Sequence, residues 1–205
     1  MGEDTNGASG LNLIGGRLCL DFANTADWHA GPHPRELLRD LASLKAWGLR
    51  AGALTEVEAG QAAAGEARSA EAEAVPAGVI DLREAIYRIF SAVAAGGRPA
   101  QADLDRLNAV LRQAAAHAEL VPADSGYAWR WRGGGSLDLL LWRVARSAAD
   151  LLTSPDLGRV RRCQDAMCGW LFLDTSKNQS RKWCTMASCG NRAKARRHYE
   201  RRTKK

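Results

Sequence analysis

The chain has 205 residues, 46% of them hydrophobic and 25% charged, and a formal net charge of +6. That length can bury a sizeable core and suits one domain of ordinary size with a smaller module attached. No apolar run reaches the roughly 18 residues of a membrane helix, and the opening MGEDTNGASG is acidic and small where a secretory signal is basic and then apolar, so a soluble cytoplasmic protein is expected.

The charge is unevenly placed. Residues 156–205 hold 14 Lys and Arg against 4 Asp and Glu, a balance of +10, which leaves −4 for the rest. A basic C-terminal module on a mildly acidic body points to a polyanion partner, with nucleic acid ahead of an anionic membrane surface.

In chain order, residues 1–10 lack any apolar pattern and read as a loose tail. In LNLIGGRLCLDFANT, Leu18, Leu20 and Phe22 alternate with Arg17, Cys19 and Asp21. This period of two predicts a short strand or hairpin, with Gly15-Gly16 as a turn and Cys19 in the core. Asp21, Asn24, Asp27, His29 and His33 then gather around Trp28; Asx turns explain such a loop better than a small-molecule pocket does.

From Arg35 to Leu49, Leu37, Leu38, Leu41 and Leu44 lie on one helical stripe, with Pro34 suited to a first turn. Thr55 with Glu58 three residues on is a capping-box signature and starts an exposed, Ala- and Glu-rich helix. After Pro76, the spacing of Val79, Leu82, Ile86, Ile89, Phe90 and Val93 predicts the central helix of the body, ended by Gly96-Gly97. Leu104, Leu107, Leu111 and Ala114 mark another helix, and HAELVP and YAWRWR around ADSG a hairpin. A last buried helix turns Leu137, Leu140, Leu141, Val144, Ala148 and Leu151 inward.

At Pro155 and Gly158 the composition changes from Ala/Leu-rich to Arg/Cys-rich, which places a boundary between a body, 11–155, and a module, 156–205. There Cys163 and Cys168 are separated by four residues, as are Cys184 and Cys189, with fifteen between the pairs. Thiols stay reduced in the cytoplasm, and two close pairs give four soft ligands that converge tetrahedrally: a closed structural zinc site, holding one ion with no open position for catalysis. An iron–sulfur cluster uses the same ligands, but the surrounding Arg and Lys favour zinc. A module this small, with Trp170, Leu171, Phe172 and Trp183 as its core, depends on the metal for stability.

GWLFLD reads as a strand and TSKNQSRKW as its polar return, and a helix starts at the second pair, the order of a treble-clef finger. The fold class is therefore α+β: a mainly helical body with short strands or hairpins, plus a treble-clef-like zinc finger. On the final helix, Ala195 and Tyr199 share a face suited to packing on the zinc core, and Lys194, Arg197, His198 and Arg201 share the outward, basic one. Such a stripe neutralises phosphates, and Glu200 is the only acid after Asp174.

The segment Cys163 to Tyr199, closing on Cys189-Gly190-Asn191-Arg192, resembles the CGNR zinc finger. The upstream GGRLCLDFANT resembles the start of the ABATE domain that usually precedes it. The resemblance implies a bacterial transcription regulator, stress-induced or ligand-responsive, with the finger on DNA and Cys163, Cys168, Cys184 and Cys189 on zinc. It adds Asn191 and Arg192 to the DNA-contact candidates Lys194, Arg197 and Arg201, although a polar pair beside a zinc knuckle serves equally well to bond thiolates and carbonyls.

The body, 11–155, shows no nucleophile paired with a base, and Gly133 to Gly135 lack the lysine and spacing of a phosphate loop, so an enzyme is not expected. The leading reading is a DNA-binding regulator whose body senses a small-molecule effector or forms a homodimer. An RNA- or protein-binding zinc adaptor is the alternative.

Overall fold

The computed structural model describes residues 12–60 and 74–203. The tail expected at 1–10 lies outside them, as does most of the Ala- and Glu-rich helix expected after Thr55. The start of that helix is present: Thr55 N donates to Glu58 Oε2 at 2.8 Å, Glu58 N donates to Thr55 Oγ1 at 3.3 Å, and residues 56–60 are helical.

LCLDFA is a short helix, α1 (Leu18–Ala23), and not the strand expected. Over six residues the two periods are hard to separate, and burial decides between them. Cys19, Leu20, Phe22 and Ala23 are all buried, a spacing that a helix turns to one side. Cys19 is a core residue as expected, and burial pushes its thiol up to about 12.

The next helix, α2 (Leu41–Arg50), starts six residues later than the leucine stripe implies. Asp40 accepts from Ser43 N at 2.7 Å, and Ser43 Oγ accepts from Asp40 N at 3.0 Å, so the reciprocal cap sets the start. The residues after Pro34 instead form β2 (Arg35–Glu36), paired antiparallel with β1 (Ala26–Asp27).

The central helix α3 (Ala77–Ala94) buries Val79, Leu82, Ile86, Ile89 and Phe90, and the chain turns after it through Gly96 at φ +75°. α4 (Gln101–His117) buries Leu107, Val110 and Ala114 against it, with Leu104 and Leu111 partly covered. The hairpin β3 (Ala118–Ala123) and β4 (Gly126–Trp131) follows as expected. In α5 (Ser136–Leu152), Leu140, Val144, Ala148 and Leu151 are buried, but the inward face is rotated. Leu139, Trp142 and Ala145 complete it, and Leu137 and Leu141 are only partly covered.

The apolar core does not stop at residue 155. After a 3-10 turn (Pro155–Arg159), β5 (Val160–Arg162) pairs antiparallel with β6 (Leu171–Leu173), Val160 opposite Leu173 and Arg162 opposite Leu171. Val160, Leu171 and Leu173 join the same core as α1, α3 and α5. The last helix, α6 (Asn191–Thr203), follows a wide π-helical turn (Met186–Gly190). Among the described residues, no helix is long and apolar enough to cross a membrane.

Candidate metal centre and nucleic-acid interface

Alternation along one short strand connects the body to the metal site. Side chains of a strand point to opposite faces in turn, so Leu171 and Leu173 enter the body while Trp170 and Phe172 pack beside the cysteines, joined by Ile14 and Trp183. The module core expected from sequence thus loses Leu171 to the body. Nor is the metal-side strand followed by its own return strand. Residues 174–183 form a loop folded around the buried Asp174, whose carboxylate accepts from Ser176 N at 2.9 Å, Ser176 Oγ at 2.6 Å and Arg181 N at 2.9 Å. Burial pushes that carboxyl up, and the bonds from Ser176 and Arg181 outweigh it, leaving it below the ordinary range.

Cys163 and Cys168 lie in the knuckle that joins β5 to β6, Cys184 follows the loop, and Cys189 sits in the turn that starts α6. All four are buried, and their Sγ atoms lie within 4.8 Å of one another. Cys168 to Cys184 is 3.6 Å and Cys184 to Cys189 is 3.4 Å. A tetrahedral zinc with thiolate bonds of about 2.3 Å has sulfur–sulfur edges of about 3.8 Å, so the donor set fits the ion. Contacts with Cys168 and Cys184 hold the Cys163 thiol far below its usual value and push those two partners up. Burial raises Cys189. His198 is exposed and outside the cluster.

The signature Asn191 and Arg192 are occupied within the protein. Asn191 Nδ2 donates to Ala187 O at 3.1 Å, closing the turn over Cys189. Arg192 Nη2 donates to Cys189 Sγ at 3.0 Å, and its Nε donates to Asp165 Oδ2 at 3.2 Å. Asp165 is buried in the knuckle and also accepts from Met167 N. The guanidinium therefore offsets thiolate charge and bridges the two cysteine pairs.

Sequence reasoning missed Asp165, although its signal was present: it is one of four acids in a very basic segment. It also missed Arg181, which lies over the Phe172 ring at 4.2 Å and donates to the carbonyls of Trp183 and Cys184. Arg192→Ala is expected to weaken zinc binding about 10- to 100-fold, measured by competition with a chromophoric chelator; unchanged affinity would free Arg192 for another role.

The same loops hold the knuckle to the body. Asn24 Nδ2 donates to Leu171 O and its Oδ1 accepts from Leu171 N, both at 2.8 Å, so a side-chain amide substitutes for a strand partner. Trp170 Nε1 donates to Ala26 O, and Tyr87 Oη donates to Gly169 O. Gly169, at φ +70°, has no room for a Cβ, which would lie 2.8 Å from both Ala30 N and Tyr87 Oη. The His29 ring stacks on Tyr87, and its Nε2 meets Glu84 at 2.9 Å. Asp21 accepts from Gly15 N, and burial pushes its carboxyl up to about 6. Asp27 pairs with Arg35, and His33 is exposed. Within the polar cluster after α1, Asn24 fastens the knuckle to the body, while Asp21, Asp27 and His29 bond residues of the body itself.

Two family models match the chain. A model of the ABATE family, described as "Putative stress-induced transcription regulator", matches residues 16–155. The chain belongs to the ABATE family. A model of the CGNR zinc finger matches residues 159–202 of this ABATE protein, and with the four clustered cysteines it identifies the bound metal as one zinc ion. No curated protein matches the chain.

Beyond the zinc, α6 presents charge. Ala193, four residues after Cys189 and so on the same side, is its only buried residue. The face of Ala195 and Tyr199, expected to pack on the zinc core, is exposed, with Tyr199 at 70%. The physical reason is register: the turn that delivers Cys189 to the metal points Ala193, and not Ala195, at the core. Lys194, Arg197 and Arg201 are exposed on one flank, and Arg196, not counted among the contacts from sequence, is exposed too.

Proposed function

We propose that this ABATE protein is a zinc-dependent, DNA-binding transcription regulator that lays α6 against the duplex. The observation that carries the reading is a helix held by its first turn to the cluster of four cysteines, with the remaining turns exposed and basic. Thirteen residues extend about 20 Å, and an α-helix of ordinary diameter fits a major groove. Lys194, Arg197 and Arg201 are the proposed contacts, with Arg196 beside them. Asn191 and Arg192 position the helix, since their polar groups already bond Ala187, Cys189 and Asp165.

The test is binding of the zinc-loaded protein to a fragmented genomic library at two salt concentrations, followed by sequencing of the bound fragments. One short recurring duplex motif is expected. Lys194→Ala with Arg197→Ala and Arg201→Ala should lower the slope of log K against log salt by about 2.7, at 0.9 per phosphate contact, with zinc retained. Salt-sensitive retention of every fragment without a motif would favour an RNA- or protein-binding adaptor, and an unchanged slope would place the contact surface elsewhere.

A further inference from the structure

The buried residue of α6 fixes which face of the helix lies farthest from the protein. Ala193 is the residue turned to the cysteine cluster, and each residue of an α-helix advances about 100° round the axis. Arg202, nine residues on, therefore lies directly opposite Ala193. Ala195 and His198 fall within about 40° of Arg202, with Tyr199 at about 60°. All four are exposed, Tyr199 at 70%. Glu200, seven residues beyond Ala193, returns to within about 20° of it, so the single acid of the helix shares the side turned to the protein.

Cations border the outer strip on both sides. Lys194 and Arg201 stand about 80 to 100° from Arg202 in one direction, and Arg196 about 120° in the other. None of the three has a carboxylate partner among the described residues. A helix lying in a major groove sets its central strip against base edges and its flanks against the phosphates of the two strands. Phosphates need only charge, which the flanks supply. The strip offers different chemistry: a methyl group for apolar contact, an imidazole and a phenol that both donate and accept, and one guanidinium fork. From Ala195 to Arg202 the helix rises about 10 Å, the height of about three base pairs.

We infer that Ala195, His198, Tyr199 and Arg202 form the base-reading face of α6, with Lys194 and Arg201 on the phosphates of one strand and Arg196 on those of the other. Arg202 takes a guanine, whose O6 and N7 acceptors match its two parallel donors. This inference rests on the DNA-binding reading and names the residues that give it sequence preference.

The test is selection from a randomised duplex library by the full-length, zinc-loaded chain and by two single variants, Arg202→Gln and Lys194→Gln. Both positions are exposed and glutamine is a good helix former, so zinc content and far-ultraviolet circular dichroism are expected to stay unchanged. The wild type is expected to select a short motif containing a guanine. Arg202→Gln should turn that guanine to adenine, whose N6 and N7 suit glutamine, and bind the original motif about 5- to 150-fold more weakly. Lys194→Gln should select the original motif, weaken every duplex alike and lower the salt slope by about 0.9. An unchanged motif in Arg202→Gln, or an altered one in Lys194→Gln, would overturn the inference. Retention of all duplexes without a motif would overturn it while leaving α6 a DNA-binding helix, and no duplex binding at all would overturn it together with the DNA-binding reading.

Discussion

Removing the zinc is expected to melt α6 and the two cysteine loops while the body keeps its fold with β5 and β6 still attached. Metal binding in small zinc fingers contributes about 10 kcal/mol or more, and little else holds the outer part of this one. Ala193 is the only buried residue of α6, and the helix carries six Arg and Lys against the single acid Glu200. A helix of that length is marginal by itself in water. The inner hairpin does not share this dependence, because Val160, Leu171 and Leu173 are buried against α1, α3 and α5. Burial of three such side chains stabilises it by roughly 5 to 8 kcal/mol.

Cys184→Ser is expected to reproduce the effect of chelation, with zinc lost and the helical circular dichroism reduced by about the contribution of α6. Hydrogen exchange should show amides of α3 and α5 protected and those of α6 open. Full zinc content in the mutant would sink the ligand assignment. Cooperative loss of the whole fold on chelation would show instead that body and finger do not separate energetically.

Asn24→Ala is expected to cost about 3 kcal/mol. Asn24 is 3% exposed, and its amide both donates to and accepts from Leu171 in the first residue of β6. Truncation leaves a buried N–H and a buried C=O without partners, at about 1 to 3 kcal/mol each. Asn24→Asp should be worse than neutral truncation at pH 7, since it deletes the donor and buries a charge. Urea unfolding measures both, read as a fall in midpoint at constant slope. A loss below 1 kcal/mol for Asn24→Ala would mean that apolar packing alone anchors the strand, about the size of one ordinary hydrogen bond.

The sequence alone determined the metal site, the central helices and the C-terminal concentration of charge. Cysteine spacing is a local property that survives any arrangement of the body, and an apolar stripe such as Val79, Leu82, Ile86 and Ile89 signals a helix through its own period. The partners of Asp165 and Asn24 and the true inward face of α6 were not legible in this way, because each depends on what lies opposite. Asp165 matters because Arg192, 27 residues later, folds back onto it. Asn24 acts through Leu171, 147 residues away.

Over LCLDFA the strand and helix periods are hard to separate, and only burial of Cys19, Leu20, Phe22 and Ala23 on one side chose the helix. Tertiary structure also decided which face of β6 belongs to the body and which to the zinc. Alternation says that Leu171 and Phe172 point in opposite directions, but only the packing of α1 and α3 on one side and four cysteines on the other assigns each direction its partner. Local pattern specifies elements and ligands, while the coupling between body and finger consists of contacts between distant residues, formed only when the chain is folded.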